Sequence, residues 1–147
     1  MTSIVEINES HIEDITPLFD QYRIFYKQES DERAARDFLL KRIQNKESII
    51  LLCYFNNEPV GFTQLYTTFS SVSLQSVFIL NDLYVSQTHR GKGIGEALLD
   101  NAKQLCREKK YKGLALETGV DNPAQQLYEK LDWKKDTDCF HYFWTSE

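Results

Sequence analysis

The sequence of 147 residues contains only three cysteines, Cys53, Cys106 and Cys139, and no Cys-x-x-Cys pair. That spacing excludes a disulfide framework and a cysteine zinc site, so reduced thiols in the cytoplasm are expected. Cys53 and Cys106 lie in apolar patterns and are expected in the core. No basic-then-apolar segment opens the chain, so no signal peptide is expected. The longest apolar run, 49–55, is far too short to cross a bilayer, and no membrane association is expected. An excess of basic residues is also missing. The net charge of −5 argues against a nucleic-acid partner. It reads either as ordinary solubility or as mild steering of a cationic substrate. There are no repeats, low-complexity tracts or linkers, and the length suits a single domain, 1–147. Hydrophobic residues make up 41%, which argues against disorder. Glycine is scarce as well, yet three of the six glycines fall within residues 91–95.

Periodicity predicts alternating strands and helices. A short strand at 4–7 is followed by a helix opened by Ser10, with Glu13 completing a capping box. Ile12, Ile15, Leu18, Phe19, Tyr22 and Phe25 keep the helical period. Ser30 or Asp31 caps a second helix that runs to about Asn45. A strand at 49–55, a turn at 56–59 and a strand at 59–67 read as a hairpin. A polar loop, 69–73, leads into a long strand at 74–85. A helix follows at 94–109, then a strand at 113–117. Asn122-Pro123 opens a last helix, with proline at its first position and Gln125 completing a capping box. Segments 133–135 and 139–145 read as terminal strands.

Between the long strand and its helix stands Arg90-Gly91-Lys92-Gly93-Ile94-Gly95. Glycines let backbone N–H groups approach a ligand closely. A helix start has unpartnered N–H groups and partial positive charge. Strand, glycine turn and helix start together make a phosphate site. A P-loop would need Ser or Thr where Gly93 stands, and a G-x-G-x-x-G fingerprint fails in both registers, at Glu96 and at Leu98.

Arg-x-x-Gly-x-Gly resembles the pyrophosphate loop of the GNAT family, the Gcn5-related N-acetyltransferases. Leu80-Asn81-Asp82-Leu83-Tyr84-Val85 with residues 90–99 resembles the family's core strand and cofactor helix. Leu116-Glu117-Thr118 through Asn122, then Ala124 to Trp133, resembles its second half. One departure is Asp132, which replaces the glycine usual after the last helix and puts that C-cap in question. Tyr22 to Tyr26, Gly61 to Tyr66, Leu80 to Tyr84 and Leu116 to Thr118 resemble the branch named for histone and polyamine acetylation. The resemblance implies a mixed α/β (α+β) GNAT fold: a mostly antiparallel twisted sheet of six to seven strands, its fourth and fifth strands splayed, flanked by about four helices. It implies acetyl-CoA as co-substrate, held by Leu83, Tyr84, Val85, Arg90, Gly91, Lys92, Gly93, Ile94, Gly95, Glu96 and Asn122. No metal is expected.

N-acetyl transfer requires a site that binds a cationic amine, removes its proton, stabilises the carbonyl oxygen and protonates the leaving sulfur. Tyr128 shares a helical face with Ala124, Leu127 and Leu131. It reads as a core tyrosine from periodicity and as the general acid from the resemblance. Asp82, inside an apolar strand, is costly unless paired or open to a cleft. It is the candidate for meeting the amine, with Glu117 on the neighbouring strand. Either acid otherwise pairs with a local Lys or Arg. The resemblance also implies a bulge in the strand before Arg90, freeing backbone N–H groups near Leu83 to Val85 for the oxyanion. Asn122 reads as a helix cap, a cofactor contact, or both. Tyr22 and Tyr26 are candidates for the acceptor pocket, with Phe25 and Tyr66, because aromatic faces suit ammonium groups. His89 and the lysines 109, 110 and 112 read as solvated. A small cationic amine, a protein lysine such as a histone tail, and non-catalytic acyl-CoA binding are the competing readings. A homodimer or tetramer is expected, through apolar residues 140–144.

Overall fold

Alternation and helical spacing place eleven elements along the chain, and the computed structural model describes residues 1–146 of it. The strands are β1 (Thr2–Glu6), β2 (Ser48–Phe55), β3 (Glu58–Ser70), β4 (Gln75–Val85) and β5 (Leu114–Ala115). The helices are α1 (Ile12–Phe25), α2 (Glu32–Gln44), α3 (Ile94–Glu108) and α4 (Ala124–Lys130), with short 3-10 turns at Glu9–His11 and Gln87–His89. Two compact units result, Met1–Glu117 and the segment from Thr118 on.

In the first unit the sheet has the order β1-β2-β3-β4-β5, antiparallel except for the parallel pair β4–β5. Asn56 and Asn57 both take positive φ, 50° and 67°, in the turn joining β2 to β3, as a tight hairpin requires. One face of the sheet is covered by α1 and α2, whose Ile12, Ile15, Leu18, Phe19, Ala35 and Leu39 pack on Ile50, Leu52 and Phe62. α3 packs on β1 to β4. It buries Ile94, Leu98, Leu99, Ala102 and Cys106, a stripe at helical spacing. Cys53 and Cys106 are buried thiols, as expected.

Three sequence expectations are corrected. The sheet has five strands among the described residues, not six to seven. Segments 133–135 and 139–145 are rich in aromatic residues, but among the described residues neither pairs with another strand, and a strand exists only through its backbone ladder. Phe140, Tyr142, Phe143 and Trp144 are exposed. The first helix is not opened by Ser10 and Glu13. Asn8 accepts from the Ser10 N–H at 2.9 Å, and the Asn8 N–H donates to His11 Nδ1 at 3.1 Å, so a 3-10 turn precedes α1. Glu13 pairs with Arg36 instead, at 2.8 Å. At the start of α4, Gln125 is not the second half of a capping box. Its Nε2 donates to the carbonyls of Gly119, Val120 and Asn122, while Asn122 Oδ1 caps the Ala124 N–H at 2.9 Å.

The end of α4 resolves the question raised by Asp132. That residue takes φ +67°, in the left-handed region glycine usually fills. The Trp133 N–H reaches the Tyr128 carbonyl at 3.0 Å and the Asp132 N–H that of Glu129 at 3.2 Å. The cap therefore keeps a Schellman geometry despite the missing glycine.

Candidate active site

β4 carries the site. Gln64 on β3 faces Asp82 and Leu65 faces Leu80, so Asn81 is an extra residue that bulges the strand. The parallel ladder to β5 ends just before it, at Ile79 and Ala115. Among the described residues, β4 has no ladder partner on its β5 side from Asn81 to Val85, which is the splay expected of these two strands. N–H groups alternate along a strand, so at least one of Leu83, Tyr84 and Val85 directs its donor to that open edge.

Past Val85 the chain turns through Ser86, whose N–H is fixed to the Val60 carbonyl at 2.8 Å. Gly91 and Gly93 then take φ +77° and +79°. A Cβ at either would meet no neighbouring atom within 4 Å, so backbone conformation alone demands glycine there. Gly93 begins α3 without a side-chain cap. The first bond that α3 closes onto the loop runs from Ala97 N–H to Gly93 O at 3.0 Å. Among the described residues, the backbone N–H groups of Gly91, Lys92, Gly93, Ile94 and Gly95 meet no protein acceptor. This arc of donors at a helix N-terminus suits the diphosphate of a nucleotide-like cofactor. Arg90 braces the arc: its Nε donates to the Val85 carbonyl at 3.0 Å, and its guanidinium lies 5.6 Å from the Tyr84 ring centre and 5.8 Å from that of Phe25. Lys92 Nζ stands 5.0 Å from the Phe55 ring centre. Gly61 brings the start of α3 close to the sheet, since a Cβ there would sit 3.0 Å from the Tyr84 carbonyl oxygen and 3.2 Å from Ile94. A groove of about 830 Å³ runs between α1 and this passage, with Pro17, Phe25, Pro59, Tyr84, His89 and Arg90 in its walls.

His89 is a further correction. It is half-buried rather than solvated, with Nδ1 3.1 Å from Ser86 Oγ and its ring 5.4 Å from that of Phe55. The short 3-10 turn folds it back under the hairpin.

Asp82 is only 4% exposed. It pairs with no Lys or Arg among the described residues; amides hold it instead. Gln64 Nε2 donates to its Oδ2, and Asn81 Nδ2 donates to its Oδ1 at 2.8 Å. Burial pushes the Asp82 carboxyl above its ordinary range, while hydrogen bonds from Gln64, Asn81 and Tyr22 pull the other way. Tyr22 bridges α1 to this place, its hydroxyl 3.4 Å from the Asn81 carbonyl oxygen. Burial and the nearby Asp82 charge push the Tyr22 phenol upward, and they push Tyr66 up to about 12. The Tyr26 ring meets that of Tyr22 edge-on at 5.1 Å and is half exposed. Phe62, Gln64, Asp82 and Tyr84 share the sheet face covered by α1. Asp82, Tyr22, Tyr26 and Tyr66 thus form one cluster, while Phe25 belongs with Arg90.

The remaining candidates lie apart in chain position. Glu117 is exposed, two residues past the last residue of β5. Glu96 sits in the first turn of α3. In the second unit, Tyr128 is half-buried on α4, its ring 5.7 Å from that of Trp133, and Asn122 serves as the cap described above. Sequence reasoning did not single out Gln64, Asn81 or Gly61. Gln64 had a signal: Val60, Phe62 and Gln64 share one alternating face, so a polar residue on an apolar face called for a partner.

Residues 12–133 match the acetyltransferase (GNAT) family. The uncharacterised N-acetyltransferase YhfO of Bacillus subtilis is 48% identical over 129 residues, covering 87% of each chain. A probable acetyltransferase of Haemophilus influenzae is 29% identical over 132 residues, covering 81% of this chain and 90% of that one. A crystal structure of a probable acetyltransferase superposes with a TM-score of 0.93 at 38% identity, over 99% of this chain and 98% of the other. The open donor arc, the bulged strand and these likenesses lead to one conclusion: the chain belongs to the acetyltransferase (GNAT) family and is an N-acetyltransferase.

Proposed function

We propose that the enzyme moves an acetyl group from acetyl-CoA to the primary amine of a small cationic acceptor, such as a polyamine or an amino acid, by direct attack in a ternary complex. One observation carries this reading. A buried carboxylate without a cationic partner, Asp82, lies on the strand that runs into an arc of unpartnered N–H donors.

The co-substrate supplies an activated acetyl thioester. The N–H groups of residues 91–95 hold its diphosphate, with Lys92 adding charge and Arg90 bracing the loop. Leu83, Tyr84, Val85, Ile94, Glu96 and Asn122 complete the cofactor contacts. A backbone donor among Leu83 to Val85 stabilises negative charge on the carbonyl oxygen, an effect worth about 3–4 kcal/mol. Tyr22 and Tyr26 wall the acceptor. An alkylammonium of pKa about 10.4 is neutral in roughly one molecule per 10³ at pH 7, a handicap of about 4–5 kcal/mol. Asp82 and Glu117 divide the work against it, one binding the cation and the other taking its proton. Tyr128 returns a proton to sulfur, a transfer from a phenol of pKa about 10 to a thiolate whose acid has pKa about 8.5. We further infer a single catalytic domain over 1–147, cytoplasmic and homo-oligomeric. The exposed aromatics at 140–144 support self-association, which light scattering measures.

The test is thiol release from acetyl-CoA against polyamines, amino acids, aminoglycosides and histone peptides. Asp82→Asn and Tyr128→Phe are each expected to lower activity about 10²–10⁴-fold with the fold intact. Wild-type kcat in Tyr128→Phe would remove the general acid, and unchanged kcat/KM for every amine in Asp82→Asn would remove the carboxylate. Preference for histone peptides would move the acceptor to protein lysine, and coenzyme A binding without turnover on any amine would leave a binding module.

A further inference from the structure

Gln64 is fully shielded from solvent on β3, directly opposite Asp82 on β4. An amide side chain in a core is costly unless its donors and acceptor are all satisfied. Here they are not. Nε2 donates to Asp82 Oδ2, whereas Oε1 is buried and accepts from no group among the described residues. The groups facing Asp82 are Tyr22 from α1, Gln64 and Tyr66 from β3, and Asn81 from its own strand. Arg42 and Glu47, beyond Tyr66, are paired with each other at 2.9 Å. No cation among the described residues therefore pins the carboxylate, and its burial is opposed only by amides and a hydroxyl.

We propose that Gln64 is the positioning residue of the amine site: with Nε2 toward Asp82 it holds the carboxylate aimed and ionised, and with its amide turned over it holds the proton that Asp82 takes from the amine. This rests on Asp82 being the acid that deprotonates the acceptor. In that step the ammonium N–H bond breaks, its electron pair stays on nitrogen, and the proton bonds to Asp82. The new carboxyl O–H then donates to Gln64 Oε1, the acceptor that lacks a partner. Turning the amide exchanges two groups of nearly equal size, so the packing around it is unchanged. The sign follows from the donor. A hydrogen bond from Nε2 favours the carboxylate, and burial favours the acid. The bond to the charged carboxylate is roughly twice as strong as the one the turned amide makes to the neutral acid. Without Gln64, Asp82 therefore titrates at higher pH, and the acid limb of activity moves to higher pH with it.

Gln64→Met keeps the length and removes both polar atoms. In the full chain labelled with ¹³C-aspartate, with the Asp82 resonance assigned by Asp82→Asn, the Asp82 midpoint should rise by about one pH unit. The loss of kcat should be greatest at low pH and shrink as pH rises. An unchanged midpoint, with kcat lowered equally at every pH, would make Gln64 a packing residue and overturn the proposal. If Gln64→Met does not fold, Gln64→Leu reads the same quantity, since it also removes the donor without adding charge; an unmoved Asp82 midpoint again overturns the proposal. Wild-type kcat/KM in Asp82→Asn would defeat the functional reading while leaving the titration result standing, so the two failures are distinguishable.

Discussion

α2 and α3 begin in opposite ways. α2 starts on Asp31, whose carboxylate takes the Ala34 N–H at 3.0 Å, and α4 likewise starts on the Asn122 side chain. α3 starts on Gly93, a residue with nothing to cap with, held at φ +79°. A cap is worth about 1 kcal/mol; α1 has none of its own but follows a 3-10 turn capped by Asn8, whereas α3 follows an open glycine loop. Omission of a cap at α3 leaves the end of the longest helix with its donors open. The difference teaches that an uncapped helix start is informative when capped ones stand beside it: the stability forgone at α3 accords with the proposed diphosphate site.

The comparison can be broken at Gly93. Gly93→Val forces a β-branched residue into the left-handed region, at more than about 1–2 kcal/mol of strain. Coenzyme A affinity by calorimetry should fall about 100-fold as the donors are displaced; equal affinity would show that the arc is not the binding element. Asp31→Ala is the control at the closed start. It should cost about 1 kcal/mol in urea unfolding and leave coenzyme A affinity unchanged. A loss of affinity as large as that of Gly93→Val would erase the distinction between the two starts. Asp132→Gly, at the far end of α4, should stabilise by up to about 1 kcal/mol by removing a Cβ from φ +67°. A decrease in thermal midpoint would mean that the Asp132 side chain does more than occupy the cap.

Much of this was legible in the residues. The glycines at 91, 93 and 95 show themselves because scarce residues are concentrated there. Apolar spacing locates α1 and α3, a cap at Ser30 or Asp31 locates α2, and a carboxylate inside an apolar strand marks Asp82. Register is different. Nothing local says that Asn81 is the extra residue, because a bulge is a mismatch between two strands and belongs to neither alone. Asp20, buried in α1, accepts from Ser30 Oγ at 2.6 Å and the Asp31 N–H at 2.8 Å, fixing the α1–α2 connection. It reads in sequence as one more polar residue of an amphipathic helix. The capping box failed at Ser10 because Asn8, an equally good cap, stands two residues earlier. The terminal strands failed because an aromatic-rich composition describes side chains and says nothing of a ladder partner.

The central claim is that the donors ahead of α3 grip a diphosphate. Titrating coenzyme A and pantetheine, the fragment without the diphosphate and nucleotide, into the wild-type protein and Gly93→Val tests it most directly. The account predicts that coenzyme A binds the wild type about 100-fold more tightly than pantetheine, about 2.8 kcal/mol, and that Gly93→Val closes most of that gap. Equal affinities in the wild type, or a gap that survives Gly93→Val intact, would contradict it.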